Sequence, residues 1–138
     1  MAQVLVVDDD RGIRELLKLA LELEGYVVAT LSDGAAVVET LAGSAEPWIV
    51  LLDVNMPWVD GLEVCRRLAA EPELAARHRV VLMTARPPLD EQVPQPASAL
   101  LVKPFQLEPL FRLLASLALP ASAHSQPGCG TASMPLAS

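Results

Sequence analysis

The sequence predicts an α/β fold: a doubly wound sheet of five parallel strands with helices on both faces. Three observations predict it. Short apolar runs alternate with segments of helical periodicity, the signature of strand–helix–strand units. The run Trp48-Ile49-Val50-Leu51-Leu52 is apolar at every position, as strands buried on both faces are. Two runs also end in carboxylates, Val4-Leu5-Val6-Val7 in Asp8-Asp9-Asp10 and the Trp48 run in Asp53. The crevice beyond such strand ends is where open α/β sheets bind ligands.

The first strand is predicted near residues 3–7, followed by a helix near 11–24 with Ile13, Leu16, Leu17, Ala20 and Leu21 at helical spacing. Asp10 reads as its N-cap, and Gly25 supplies a left-handed stop just past its end. The second strand falls near 26–31 and its helix near 34–43, with Asp33 as the cap. The third strand, 48–53, opens into the turn Asp53-Val54-Asn55-Met56-Pro57-Trp58-Val59-Asp60-Gly61, and a helix capped by Asp60 follows over 61–70. Trp58 is read as exposed, either a partner contact or a local lid. The fourth strand, 79–83, closes in Thr84; the fifth, 99–102, closes in Lys103-Pro104-Phe105, with Phe105 assigned to the core. A last helix spans 107–118.

Between Thr84 and Lys103 stand Pro87, Pro88, Pro94 and Pro96. Each proline inside a helix costs roughly 3 kcal/mol, so a loop or a single turn from Leu89 to Val93 is expected there. From Pro120 onward there is no charged residue and little to bury, and such a segment cannot offset an ordering entropy of roughly 1–2 kcal/mol per residue. The expected organisation is one folded domain over 1–119 and a disordered tail over 120–138.

Composition narrows the function. The net charge is −7 and the isoelectric point about 4.7, which argues against nucleic-acid binding, because phosphate contacts need clustered Lys and Arg. There is no charged leader and no apolar stretch long enough to span a membrane, so a cytoplasmic protein is expected. Cys65 lies on an apolar helix spacing with Leu62, Leu68 and Ala69 and reads as a buried hydrophobe. His78 and His124 are isolated, so no zinc-type site is indicated.

If the first and third strands are neighbours, Asp8, Asp9 and Asp53 converge, and like charges at close range raise one another's pKa unless a cation neutralises them. Oxygen donors with open positions suit Mg²⁺. Thr84 adds a hydroxyl and Lys103 an ammonium at the same sheet edge. A nucleophile, a metal, a hydroxyl donor and a cation are what phosphoryl transfer requires. The chain has only two lysines against eight arginines, so a lysine at a strand end stands out.

The ordered set Asp8-Asp9, Asp53 with Met56-Pro57 and Gly61, Thr84-Ala85 and Lys103-Pro104-Phe105 resembles the receiver domains of two-component response regulators, over residues 3 to about 118. The resemblance implies a flavodoxin-like sheet of order 2-1-3-4-5. It implies Asp53 as phosphoacceptor; Mg²⁺ on Asp9, Asp53 and the backbone carbonyl of Asn55, with Asp8 acting through a water on the metal; and Thr84 and Lys103 on the phosphoryl oxygens. Ala85 would leave room for the donor, Asn55 and Arg86 would tune the lifetime of the modification, and the Lys103-Pro104 bond would be cis. The implied partners are a histidine kinase or phosphotransfer protein and an unknown downstream protein, with the chain a stand-alone monomer or weak dimer. Leu100 departs from the pattern: the family commonly has a Tyr or Phe there, which moves inward with the Thr, so the switch pair Thr84 and Leu100 cannot work in the same way.

Two other functions compete. One is a receiver that has lost phosphate dependence and acts as a binding module. The other is a phosphatase of the haloacid-dehalogenase type, with Asp8 as nucleophile and Asp10 as acid/base; this chain has Gly12 where that family usually has Thr or Val.

Overall fold

The computed structural model describes residues 2–85 and 94–118. In chain order its elements are β1 (Gln3–Val7), α1 (Arg11–Leu23), β2 (Val27–Leu31), α2 (Val37–Ala42), β3 (Trp48–Asp53), α3 (Gly61–Ala69), α4 (Pro72–Arg77), β4 (Arg79–Thr84), β5 (Ala99–Val102) and α5 (Leu107–Leu117). The strands form one parallel sheet of order β2-β1-β3-β4-β5, the expected flavodoxin-like topology. Its order reverses between β1 and β3, and a crevice opens at the carboxyl ends of strands at such a point.

Alternate strand residues feed two cores, one on each face of the sheet. On one face Leu5, Val7, Val50, Leu52, Val80 and Leu82 meet Val37 and Leu41 of α2 and Val64, Cys65 and Leu68 of α3. On the other, Val4, Val6, Ile49, Leu51, Val81 and Met83 meet Leu17 and Leu21 of α1 and Leu110 and Leu114 of α5. This is why the central runs are apolar throughout: both sides of β1, β3 and β4 are covered. Among the described residues no helix is long and apolar enough to cross a membrane.

The helix ends follow from their sequences. Asp10 Oδ1 accepts hydrogen bonds from the Gly12 and Ile13 N–H groups (2.8 and 3.3 Å) and so caps α1. At the other end Gly25 takes φ +97°, while the Gly25 and Tyr26 N–H groups donate to the Glu22 and Leu21 carbonyls (both 3.0 Å). This paired closure needs a left-handed residue, which glycine adopts without a Cβ penalty. Asp60 caps α3 through the Glu63 N–H at 2.9 Å.

Three expectations change. α2 begins at Val37 with no side-chain cap; Asp33 instead binds the Ala35 N–H at 2.7 Å, a local turn that competes with helix. The helix α4 was not expected. It has six residues with Pro72 in its first turn and one buried side chain, Leu74, so it is too short to show a period. β4 extends to include Thr84. The proline-rich expectation for a short or missing helix falls largely on residues 86–93, and the tail on 120–138; both lie outside the described residues.

Candidate functional site

Strand register assembles the site. Val7 pairs with Leu52, so the next residue of each strand, Asp8 and Asp53, sits side by side. Asp53 pairs with Met83, and Thr84 is one step beyond. Thr84 pairs in turn with Val102, and Lys103 follows, its N–H donating to the Thr84 carbonyl at 2.7 Å. Four neighbouring strands therefore end in Asp8-Asp9, Asp53, Thr84 and Lys103.

Asp8 is fully buried and held at every polar atom. Its N–H donates to the Leu31 carbonyl at 3.2 Å. Its carbonyl accepts from Arg14 Nη1 at 2.7 Å, Oδ1 from the Asp10 N–H at 2.9 Å, and Oδ2 from Lys103 Nζ at 3.0 Å. Asp53 is 5% exposed; its Oδ1 accepts the Asn55 N–H at 3.2 Å and lies 3.5 Å from Lys103 Nζ. Asp9 is exposed at the rim, yet Asp8, Asp9 and Asp53 each place a carboxylate oxygen within 4.8 Å of the others. Thr84 is buried beside them.

Burial, then the Asp8 charge, pushes the Asp53 carboxyl above its ordinary value, against the pull of Lys103 and the Asn55 N–H. Burial works against the Lys103 ammonium, but the hydrogen bond and charge of Asp8, with the charge of Asp53, outweigh it and raise its pKa. Lys103 therefore stays protonated between two acids. Among the described residues a single ammonium faces three carboxylates, and this set of oxygen donors fits a hard divalent cation such as Mg²⁺.

The structure brings together Asp8, Asp9, Asp53, Thr84 and Lys103, with Asn55 in the turn against Asp53. The Lys103-Pro104 bond is cis. Leu100 is half-buried, pairs with Leu82 and packs against the core on the α2–α3 face. Asp10 is committed to capping α1, and so is not placed as an acid/base.

The turn after Asp53 is tightly closed. The Gly61 N–H donates to the Val54 carbonyl at 3.0 Å, and a Cβ at Gly61 would lie 2.6 Å from the Asp53 carbonyl oxygen. Met56 is buried, whereas Trp58 is 91% exposed. The Val59 N–H donates to the Pro57 carbonyl at 2.8 Å around Trp58, whose φ is +65°. This is a γ-turn with a non-glycine residue at positive φ, a strained conformation that costs of order 1–3 kcal/mol.

Two contributors escaped sequence reading. Arg14 holds the Asp8 carbonyl; its position one turn past the Asp10 cap was the available signal. Gly34 lets the turn before α2 meet the Asp53 turn, since a Cβ there would lie 2.5 Å from the Val59 carbonyl oxygen. Nothing local in the sequence announces that contact.

Residues 4–115 match the family model of the response regulator receiver domain. Over 118 residues the chain is 40% identical to the response regulator MprA of Mycobacterium ulcerans, covering 83% of this chain and 49% of that protein. The chain spans about half the length of the curated relatives it matches. It is similar to the response regulator TrrA of Thermotoga maritima, crystallised in complex with Mg²⁺-BeF, at 31% identity and TM-score 0.71, over 85% of this chain and 99% of that one. TrrA in complex with the histidine kinase ThkA aligns at 30% identity and TM-score 0.73, over 86% of this chain and 100% of that one.

Proposed function

Because this chain belongs to the response regulator receiver domain family, we propose that it accepts a phosphoryl group on Asp53 from a phosphohistidine-bearing kinase or phosphotransfer protein, and signals by changed affinity for a downstream protein. It is a signalling module rather than an enzyme, which sets aside the phosphatase alternative. The observation that carries the proposal is the convergence of the Asp8, Asp9 and Asp53 carboxylates within 4.8 Å, with Lys103 Nζ between Asp8 and Asp53.

In the proposed transfer an ionised Asp53 oxygen attacks phosphorus; the new P–O bond forms as the P–N bond breaks, and the bonding pair leaves with the imidazole. Lys103, held as a cation, would take one phosphoryl oxygen, and the Thr84 hydroxyl would donate to another. The chemistry is mainly positioning and charge stabilisation. Mg²⁺, held by Asp9, Asp53 and the Asn55 carbonyl with Asp8 through a water, would neutralise the acids and stabilise charge on the phosphoryl oxygens. The complexes of TrrA with Mg²⁺-BeF and with a histidine kinase support this reading for a relative of the same fold.

Acetyl phosphate with Mg²⁺ should label the wild-type chain on Asp53, detected by mass spectrometry after borohydride trapping. Label on Asp8, or a wild type that neither acetyl phosphate nor a phosphorylated protein donor labels, sinks the proposal. Leu100 favours a second reading, a module indifferent to phosphate: if the chain is labelled but partner binding does not change with beryllofluoride, that reading replaces the signalling half of the first.

A further inference from the structure

We propose that Trp58 is a docking anchor for the protein phosphodonor, which seats on the mouth of the acidic pocket by enclosing the indole. This rests on Asp53 being the phosphoacceptor. A donor must bring phosphorus to bonding distance of an Asp53 oxygen, so its surface must cover the pocket mouth. Among the described residues, Asp9, Asp10, Asn55, Pro57, Trp58 and Ala85 are exposed on the strand-end loops carrying Asp9, Asp53 and Thr84. Trp58 has the largest apolar surface of them, and it is 91% exposed.

The indole is presented rather than merely left outside. Met56 is buried on one side of it, and Val59 packs against the same core on the other. The Val59 N–H to Pro57 carbonyl bond fixes Trp58 at φ +65°, and the bond from the Gly61 N–H to Val54 closes the loop at its root. Gly34 fits against the Val59 carbonyl. A glycine would adopt that φ without penalty, so a tryptophan there works against the backbone and gains no burial in return. With its backbone fixed, the indole has only two side-chain torsions to lose when a partner encloses it, and tryptophan is prominent among residues that dominate interfaces. The partner chemistry implied is a phosphohistidine protein with an apolar recess beside its histidine.

The test compares two donors on three full chains: wild type, Trp58→Ala and Trp58→Gly. The protein donors are the histidine kinases and phosphotransfer proteins of the source organism, each purified and phosphorylated; the small donor is acetyl phosphate. The expected result is a transfer efficiency from the protein donor at least tenfold lower in both variants, with acetyl phosphate labelling within twofold and Trp58→Gly melting no lower than wild type. Equal transfer from the protein donor to all three chains would overturn the anchor while leaving Asp53 as acceptor. So would an equal loss with both donors, or a wild type labelled by acetyl phosphate but by no protein donor. A wild type labelled by neither would overturn the acceptor reading, and the anchor with it.

Discussion

Lys103 satisfies Asp8 at 3.0 Å and approaches Asp53 at 3.5 Å; in the proposed transfer it would turn to a phosphoryl oxygen. Its pKa is raised, so its contribution to stability is complete below the unfolded value of about 10.5 and is lost as pH rises through the higher folded value. The slope has the same sign at Asp53, in a lower pH window. Its raised pKa means that the folded state keeps a proton already lost by the unfolded state, so metal-free stability declines as pH climbs from about 4 through the folded value. Protons should therefore compete with Mg²⁺ at higher pH than at an ordinary aspartate. Calorimetric titration should show Mg²⁺ affinity falling on acidification, and Asp53→Asn removing most of that pH dependence. Arg14 acts one layer out. Arg14→Ala frees the Asp8 carbonyl from its 2.7 Å bond and should weaken Mg²⁺ about tenfold, with Arg14→Lys intermediate; unchanged affinity would show that Asp8 needs no such support.

At the scale of elements, the acids stand between β1 and α1 and at the end of β3, next to the turn that leads to α3, and each position has its own control. Asp10 caps α1 but does not join the acidic cluster, so Asp10→Ala should cost about 1 kcal/mol of stability and leave Mg²⁺ affinity within about threefold. A larger loss of affinity would mean that the cap also sets the direction of Asp9. Gly61→Ala should be far more damaging. Its Cβ would lie 2.6 Å from the Asp53 carbonyl oxygen and 2.9 Å from the Val54 Cα, both backbone, so the turn must shift. Labelling by acetyl phosphate should fall at least tenfold even where the melting temperature stays above the assay temperature.

For the whole molecule, the metal acts at one end of the sheet and a second proton-binding group lies at the other. Saturating Mg²⁺ should raise stability by RT ln(1 + [Mg²⁺]/Kd), about 2.7 kcal/mol at one hundred times Kd, read as a rise in melting temperature that Asp53→Ala abolishes. At the far end His78 is buried and its Nδ1 accepts the Trp48 N–H at 2.9 Å. Burial, with the Arg77 charge, lowers its pKa below 6.5. The unfolded chain therefore protonates first, and stability is lost as pH falls from 6.5 toward the folded value. His78→Leu should flatten the slope of melting temperature against pH across that window, whatever its effect on stability at neutral pH; an unchanged slope would place the acid sensitivity elsewhere.

The sequence by itself determined the sheet and the inventory of the pocket, because both are written in local pattern. Apolar runs fixed β1, β3 and β4; Asp10, Asp60 and Gly25 marked helix ends through bonds spanning only a few residues; and the polar residues closing each run named Asp8, Asp9, Asp53, Thr84 and Lys103. Short elements were legible only in part: α4 has one buried side chain and α2 loses its first turn to Asp33. The tertiary structure alone decided the rest. The parallel register of β1 with β3 and of β4 with β5 brings acids and lysine from distant parts of the chain to within 3.0–3.5 Å. Arg14 on the Asp8 carbonyl and Gly34 against Val59 arise from contacts between segments that no periodicity records, and Trp58 at positive φ sits in a tight turn that leaves no periodic mark. Burial of Asp53 beside Asp8, which raises its pKa, exists only once the strands are paired.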